Sequence, residues 1–405
     1  MLIARQPIFK KNREVFAYEL LYRDSVDKTS FSDVSSVHAT ASVVAGLFES
    51  GIERIVEDKF AFINFDGESF LKIDTNLIKA ENVVIELLEN TQITTSILEK
   101  ARYLDKDNYK IALDDFENDQ DYDKIMNYVT IIKFDIMKTP LSEIKPLVTK
   151  YLNQRKLLLA EKVETQEEFL QAIDMGFSLF QGYYFEKPTT IKSSRLINSS
   201  LAQYIRLFNE LAKAEPSFDI MSSIISIDPV LTMRVLKIVS NFVAKKENVS
   251  NVKLALVRIG LKDLKSWIGV LLVQSFHEKT NTELIKKALL RSQFLNLITK
   301  KLKLNQINES SRLVGLFSNM DSILGCSIGS LIEQLPLSID VTDALVYHKG
   351  HIYELLDIVK SYEIGDWDMV MKRVDELGLD AHEVGNMYLE SLQYTNDILE
   401  KIDKL

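Results

Sequence analysis

The chain of 405 residues is 46% hydrophobic and 26% charged, ordinary values for a soluble globular protein and long enough for two domains. Its formal net charge of −9 argues against a basic footprint for a nucleic-acid polymer, yet permits a small anionic ligand held by a metal or a few placed cations. A single cysteine, Cys326, excludes an intrachain disulfide; it reads as a small buried apolar residue in a reducing compartment.

The N-terminal MLIARQPIFKKNREVF lacks the apolar run and small-residue cleavage site of a signal peptide. From there to residue 187, short apolar runs alternate with helical patterns. The runs are Val15–Leu21, Phe60–Phe65, Val83–Leu87, Ile111–Leu113, Ile131–Phe134, Leu157–Ala160 and Ser178–Phe180. Each is rich in branched or aromatic residues, as buried parallel strands are. Helical patterns between them include Val37–Phe48, Ser142–Leu152 and Gln166–Ile173. Such alternation predicts βαβ units, and seven or eight of them fit a compact closed (β/α) barrel better than an open sheet.

Residues 188–195 (PTTIKSSR) crowd Pro, Ser and Thr, and hydrophobic periodicity lapses, which places a domain boundary there. Beyond it, 3.6-period stretches dominate: Leu196–Leu211, Asp219–Ile227, Val230–Val239, Asn251–Gly260 and Leu261–Phe276. Asp228-Pro229 breaks one helix, and Gly260, Gly315 and Gly325 punctuate others. The fold class expected is therefore α/β plus all-α: a TIM-like barrel over 1–192, then a helical bundle over 197–405. The longest apolar stretch, Trp267–Val273, falls far short of the roughly 20 residues a membrane helix needs, so a cytoplasmic protein without a membrane partner is expected.

A polar residue follows nearly every proposed strand: Glu19 with Arg23 after it, Asn64, Glu86, Asp114 with Asp115, Lys133, Glu161 and Gln181. A barrel builds its active site at the C-terminal mouth from the ends of several strands. Several carboxylates gathered there repel one another unless something positive fills the ring, and a divalent metal with hard oxygen ligands is the natural filler. Lys133 and Arg23 could take the anionic groups of a substrate. Any one of these residues alone reads more simply as an exposed strand-end group; their recurrence carries the argument.

At these residues the first half resembles the EAL domain, a bacterial cyclic di-GMP phosphodiesterase family. The triplet appears as Glu19-Leu20-Leu21 within YELLYR, followed in the family's order by FINFD, IELLE, ALDDF, IKFD, AEKVET and FQGYYFEKP. The resemblance implies that Glu19, Asn64, Glu86 and Asp114 hold one divalent ion, with Asp115 and Glu161 contributing to a second. It implies that Lys133 and Glu161 orient or deprotonate the attacking water, that Gln181 assists, and that Arg23 contacts a phosphate. It further implies Mg2+ or Mn2+ and hydrolysis of cyclic di-GMP to pGpG.

Two departures stand out. Leu20 replaces the family's alanine and loses no ligand. After Asp114-Asp115-Phe116, a glycine-rich, hydroxyl-bearing loop is replaced by Glu117-Asn118-Asp119-Gln120-Asp121-Tyr122-Asp123. In the family this loop couples metal binding to dimerisation and is braced by positions matching Glu89 and Glu164. The change predicts weak or absent turnover with more robust ligand binding. It also weakens the inference of a homodimer through the barrel. A catalytically inactive receptor or a protein scaffold is thus the alternative to an enzyme.

The second half resembles the HDOD domain, a relative of HD phosphohydrolases, through IISIDPVLTMRVLKIVSN, ALVRIGLKDLKSWIGVLL and GLFSNMDSILG. None of His38, His277, His348, His351 and His382 is followed by Asp, so the HD metal dipeptide is missing. His348 and His351 read as surface or capping residues, and Trp267 and Trp367 as core anchors. This half is expected to act as a regulatory module that contacts an unidentified signalling protein.

Overall fold

A computed structural model describes residues 2–23, 52–73, 75, 80–116, 120–186, 199–211, 213, 215–227, 231–232, 235, 252–261, 264, 267–268, 282–324, 329 and 337–403. The expected helix Val37–Phe48, the boundary segment 188–195, Cys326, His38 and His277 lie outside them, as do Glu117–Asp119 and most of Val230–Val239 and Leu261–Phe276.

Eight strands close a barrel in chain order: β1 (Leu2–Lys10), β2 (Val15–Arg23), β3 (Phe60–Phe65), β4 (Val83–Leu87), β5 (Lys110–Leu113), β6 (Ile131–Asp135), β7 (Leu157–Glu161) and β8 (Leu179–Phe180). Seven coincide with the predicted runs to within two residues at either end. The eighth, β1, was not read from the sequence, and it runs antiparallel to both its neighbours, β2 and β8. The other six pairings are parallel.

Helices α1 (Glu53–Val56), α2 (Gly67–Leu71), α3 (Thr95–Lys106), α4 (Leu141–Asn153) and α5 (Gln166–Met175) fall between the strands. Their starts are fixed locally. Asp66 accepts from the Ser69 amide, Thr94 from Ile97, and Thr165 forms a reciprocal capping box with Glu168. Gly176 ends α5 at φ 107°, a conformation that suits glycine.

Ile8, Ala17, Phe62, Val84, Ala112, Ile131, Leu159 and Leu179, one residue from each strand, form a buried apolar cluster in the barrel. Outside it, Phe116 meets Tyr122, Phe134 and Tyr151 edge to face.

The described contacts divide the chain into two compact units. The first comprises residues 1–186 together with 360–389, and the second comprises 187–359 and 390–405. Beyond the barrel the described elements are all helical: α6 (Ser199–Leu211), α7 (Phe218–Ser226), α8 (Val252–Ile259), α9 (Thr282–Lys301), α10 (Asn308–Phe317), α11 (Met320–Leu324), α12 (Ile339–Val346), α13 (His351–Glu363), α14 (Trp367–Glu376) and α15 (Ala381–Asp403). The end of α13, α14 and the start of α15 thus cluster with the barrel strands. Among the described residues no helix is long and apolar enough to cross a membrane.

Within the second unit, Asn308 Nδ2 donates to Thr299 Oγ1 at 2.6 Å and to the Asn296 carbonyl at 3.1 Å. Gly315 lets α10 lie against α9, where a Cβ would sit 2.6 Å from the backbone of Arg291 and Ser292. Trp267 is buried as expected, whereas Trp367 is half-buried with its ring edge against Tyr362. The described histidines behave as surface groups: His348 stacks on Tyr353, His351 faces Glu354, and His382 faces Asn386.

Candidate active site

Side chains alternate along a strand, so residues two places from the apolar cluster share its inward direction. Counting two residues toward the mouth gives Glu19, Asn64, Glu86, Asp114, Lys133, Glu161 and Gln181. On the antiparallel β1 the same step runs backwards and gives Gln6, which pairs in register with Glu19. A polar tier therefore lies directly above the apolar one, with one member per strand. Gln6 is the member that sequence reasoning missed. Its signal was the LIARQPIFK run, whose Pro and basic residues hid the strand.

Lys133 is the hub of this tier. It is 1% exposed, and its Nζ lies 2.9 Å from Asp114, 2.9 Å from Glu161 and 3.7 Å from Glu19, and contacts Glu86 directly. Asn64 Nδ2 donates to Glu19 Oε1 at 3.3 Å. Gln181 Nε2 donates to Glu19 Oε2 at 2.9 Å and to Gln6 Oε1 at 3.1 Å. Gly182, at φ 143°, follows Gln181 where a Cβ would collide with the Val163 backbone, so the chain after β8 can sit only with glycine there.

Four carboxylates around one ammonium leave unbalanced negative charge. Burial pushes the Glu161 carboxyl up to about 8, with Asp114 and Glu19 raising it further against the pull of Lys133. Burial likewise holds Glu86 well above the usual carboxylate range despite Lys133. Asp114 goes the other way: burial opposes its ionisation, but Lys133 and its hydrogen bonds overcome that and lower it. Burial alone would depress Lys133, yet Glu161, Glu19, Glu86 and Asp114 raise it well above its ordinary value.

Asp115 lies beside the tier. Its Oδ2 is 2.9 Å from Lys138 Nζ, and its backbone sits at φ 39°, a left-handed conformation that costs a non-glycine residue about 1 kcal/mol. Asp114, Asp115 and Glu161 each present an oxygen within 4.8 Å of the others, a group that could hold a metal ion. A cation also suits the acceptors left over. Asn64 Oδ1, Glu86 Oε2 and Gln181 Oε1 are buried without a hydrogen-bond partner. Each such oxygen costs roughly 1–3 kcal/mol unless something positive meets it. An all-oxygen donor set favours a hard divalent ion.

Eight of the nine residues predicted from the sequence thus converge. The ninth, Arg23, ends β2 and is engaged with Asp368 of α14, Nη1 to Oδ1 at 2.6 Å. Of the two residues expected to brace the loop after Asp115, Glu89 offers its backbone carbonyl to Tyr122 Oη at 2.5 Å, and the Glu164 amide donates to Glu168 at 2.8 Å.

A closed barrel with a lysine-centred ring of carboxylates and amides at its mouth gathers oxygen donors that could hold a metal ion. Comparison with known proteins narrows this class. Residues 199–330 match the HDOD domain family. Across 99% of both chains, the protein is 33% identical to YuxH, an uncharacterized protein of Bacillus subtilis. It is 32% identical to the cyclic di-GMP phosphodiesterase CdgJ of Vibrio cholerae, over 98% of this chain and 92% of that one. Among solved structures, a standalone EAL protein of Vibrio cholerae bound to c-di-GMP is 22% identical over 45% of this chain and 90% of its own, with a TM-score of 0.35. The chain belongs to the family that fuses an EAL-type barrel to an HDOD domain.

Proposed function

We propose that the barrel binds cyclic di-GMP and hydrolyses it to pGpG with Mg2+ or Mn2+. The observation that carries this reading is the Lys133-centred tier with its three orphaned buried oxygens. The CdgJ relative, a cyclic di-GMP phosphodiesterase by name, supports the choice of substrate. Glu19, Asn64, Glu86 and Asp114 would hold one ion, and Asp114, Asp115 and Glu161 are the set for a second. A bound pair of ions would stabilise the attacking and leaving oxygens of an in-line displacement.

The remaining work belongs to side chains. Lys133 fixes Glu161 at 2.9 Å and keeps it at the mouth. Glu161, a buried carboxyl at the mouth, is placed to take a proton from water once a bound cation lowers it from its metal-free value of about 8. That water attacks phosphorus, the P–O3′ bond breaks, and the 3′ oxygen takes up, through water, the proton that Glu161 removed, which returns Glu161 to its carboxylate. Gln181 orients Glu19, and Arg23 neutralises the second phosphate.

We place the boundary at 188–195, between a barrel (1–192) and an HDOD half (197–405) that we assign to partner binding and regulation, with 360–389 of that half clustering with the barrel. A second reading, a receptor with little turnover, is favoured by Asp115, whose Oδ2 is paired with Lys138, so that an ion at the second position must compete with that ammonium. One experiment separates the readings: incubate the protein with cyclic di-GMP and Mg2+ or Mn2+, and follow binding and linear product together. Product formed by wild type and lost in Glu19→Ala and Glu161→Ala supports the enzyme. Binding without product supports the receptor. Absence of both leaves a scaffold and overturns the proposal.

A further inference from the structure

Residues 360–389 lie beyond the matched HDOD stretch and cluster with the barrel. Three contacts tie this segment to β1 and β2. Tyr362 Oη accepts from the Ile3 amide at 3.3 Å, its ring buried between Tyr388 and Trp367. Gly365, at φ 73°, approaches Leu21 so closely that a Cβ would stand 2.9 Å from Leu21 Cδ1. Asp368 pairs with Arg23. Ile3 and Leu2 register with Tyr22 and Arg23, so all three contacts fall at the mouth end of the hairpin, within four residues of Glu19.

The first contact is buried, the second is half-buried and shape-dependent, and together they fix the segment in place. The third differs. Arg23 is 41% exposed and Asp368 is 91% exposed, so the pair is open to solvent and weak. A guanidinium meets carboxylate and phosphate with the same planar fork, and the two anions compete for it.

We propose that Asp368 is an internal competitor for Arg23, occupying the cation that a substrate phosphate must claim, so that the 360–389 segment sets ligand affinity at the barrel mouth. This rests on the assignment of Arg23 as a phosphate contact. Linkage makes the effect reciprocal: ligand binding at the mouth weakens the hold of Asp368, and anything that draws α14 away raises affinity.

The test measures cyclic di-GMP binding by calorimetry to full-length wild type, Asp368→Asn, Arg23→Ala and the double variant, in Ca2+ to suppress turnover. Asp368→Asn should tighten binding by between about 1.5-fold and fivefold, the range an exposed ion pair spans. The same change in the Arg23→Ala background should do nothing. Hydrogen exchange should speed up over residues 366–372 when ligand is added to wild type, and not to Arg23→Ala. Asp368→Asn binding equal to or weaker than wild type overturns the proposal while leaving the site reading intact. No binding by any of the four proteins overturns both.

Discussion

Lys133 Nζ and Glu161 Oε1 stand 2.9 Å apart on adjacent strands, one of four pairings that Lys133 makes with carboxylates at the barrel mouth. Lys133 is the cation that meets all four of these buried or half-buried carboxylates, so removing it leaves them facing one another. Lys133→Met should therefore lower the stability of metal-free protein by roughly 3–5 kcal/mol. Saturating Mn2+ should recover part of the loss, because an ion supplies the missing positive charge. Urea melts with and without metal read both effects. Equal midpoints for variant and wild type would mean that the carboxylates are already protonated or solvated.

The pH response of the metal-free protein has a definite sign. Burial pushes the Glu161 carboxyl up to about 8 in the folded chain, against 4.5 for a free side chain, so the folded chain keeps a proton that the unfolded chain releases. Between these values folding stability falls as pH rises. Divalent-ion affinity should climb over the same window, since the ion displaces that proton. Glu161→Gln should flatten this component of the stability profile, as followed by denaturation from pH 4.5 to 8.

Glu161→Gln should also separate binding from chemistry. It keeps shape and loses the proton acceptor, so turnover should drop by at least about 100-fold. Cyclic di-GMP affinity should change only a few-fold. A variant that retains near wild-type product formation would move the base elsewhere in the tier.

The contact of Tyr362 with Ile3 can be probed without touching the site. Tyr362→Phe deletes the hydroxyl that accepts from a buried amide, and should cost about 1–3 kcal/mol in thermal or urea unfolding. Gly365→Val should do more, since it adds a branched side chain at positive φ against Leu21. A Gly365→Val protein as stable as its parent would mean that the turn can leave the hairpin freely.

Much of this was legible in the chain. Seven strands, and the gathering of eight of the nine polar residues named at their ends, were legible in apolar runs ending in polar residues, because parallel strands buried on both faces have little compositional freedom. Strand β1 escaped because it carries Arg5, Gln6 and Pro7 in its middle and closes the barrel antiparallel, a role that tolerates a mixed pattern. Arg23 was found, but its partner was not: Asp368 lies 345 positions away on an ordinary amphipathic helix, and no periodicity records which surface such a helix will meet. The inclusion of residues 360–389 in the barrel unit was hidden for the same reason.

The two-residue offset between Ala17 and Glu19, repeated around the barrel, constrains how this mouth can change over generations. Deleting or inserting one residue within a strand would turn its polar member outward and its apolar member up into the ring of ligands. Length variation is consequently expected in the connections rather than in the strands. The chemistry of such a protein drifts by swapping one side chain at a time, while its control drifts by rewriting loops.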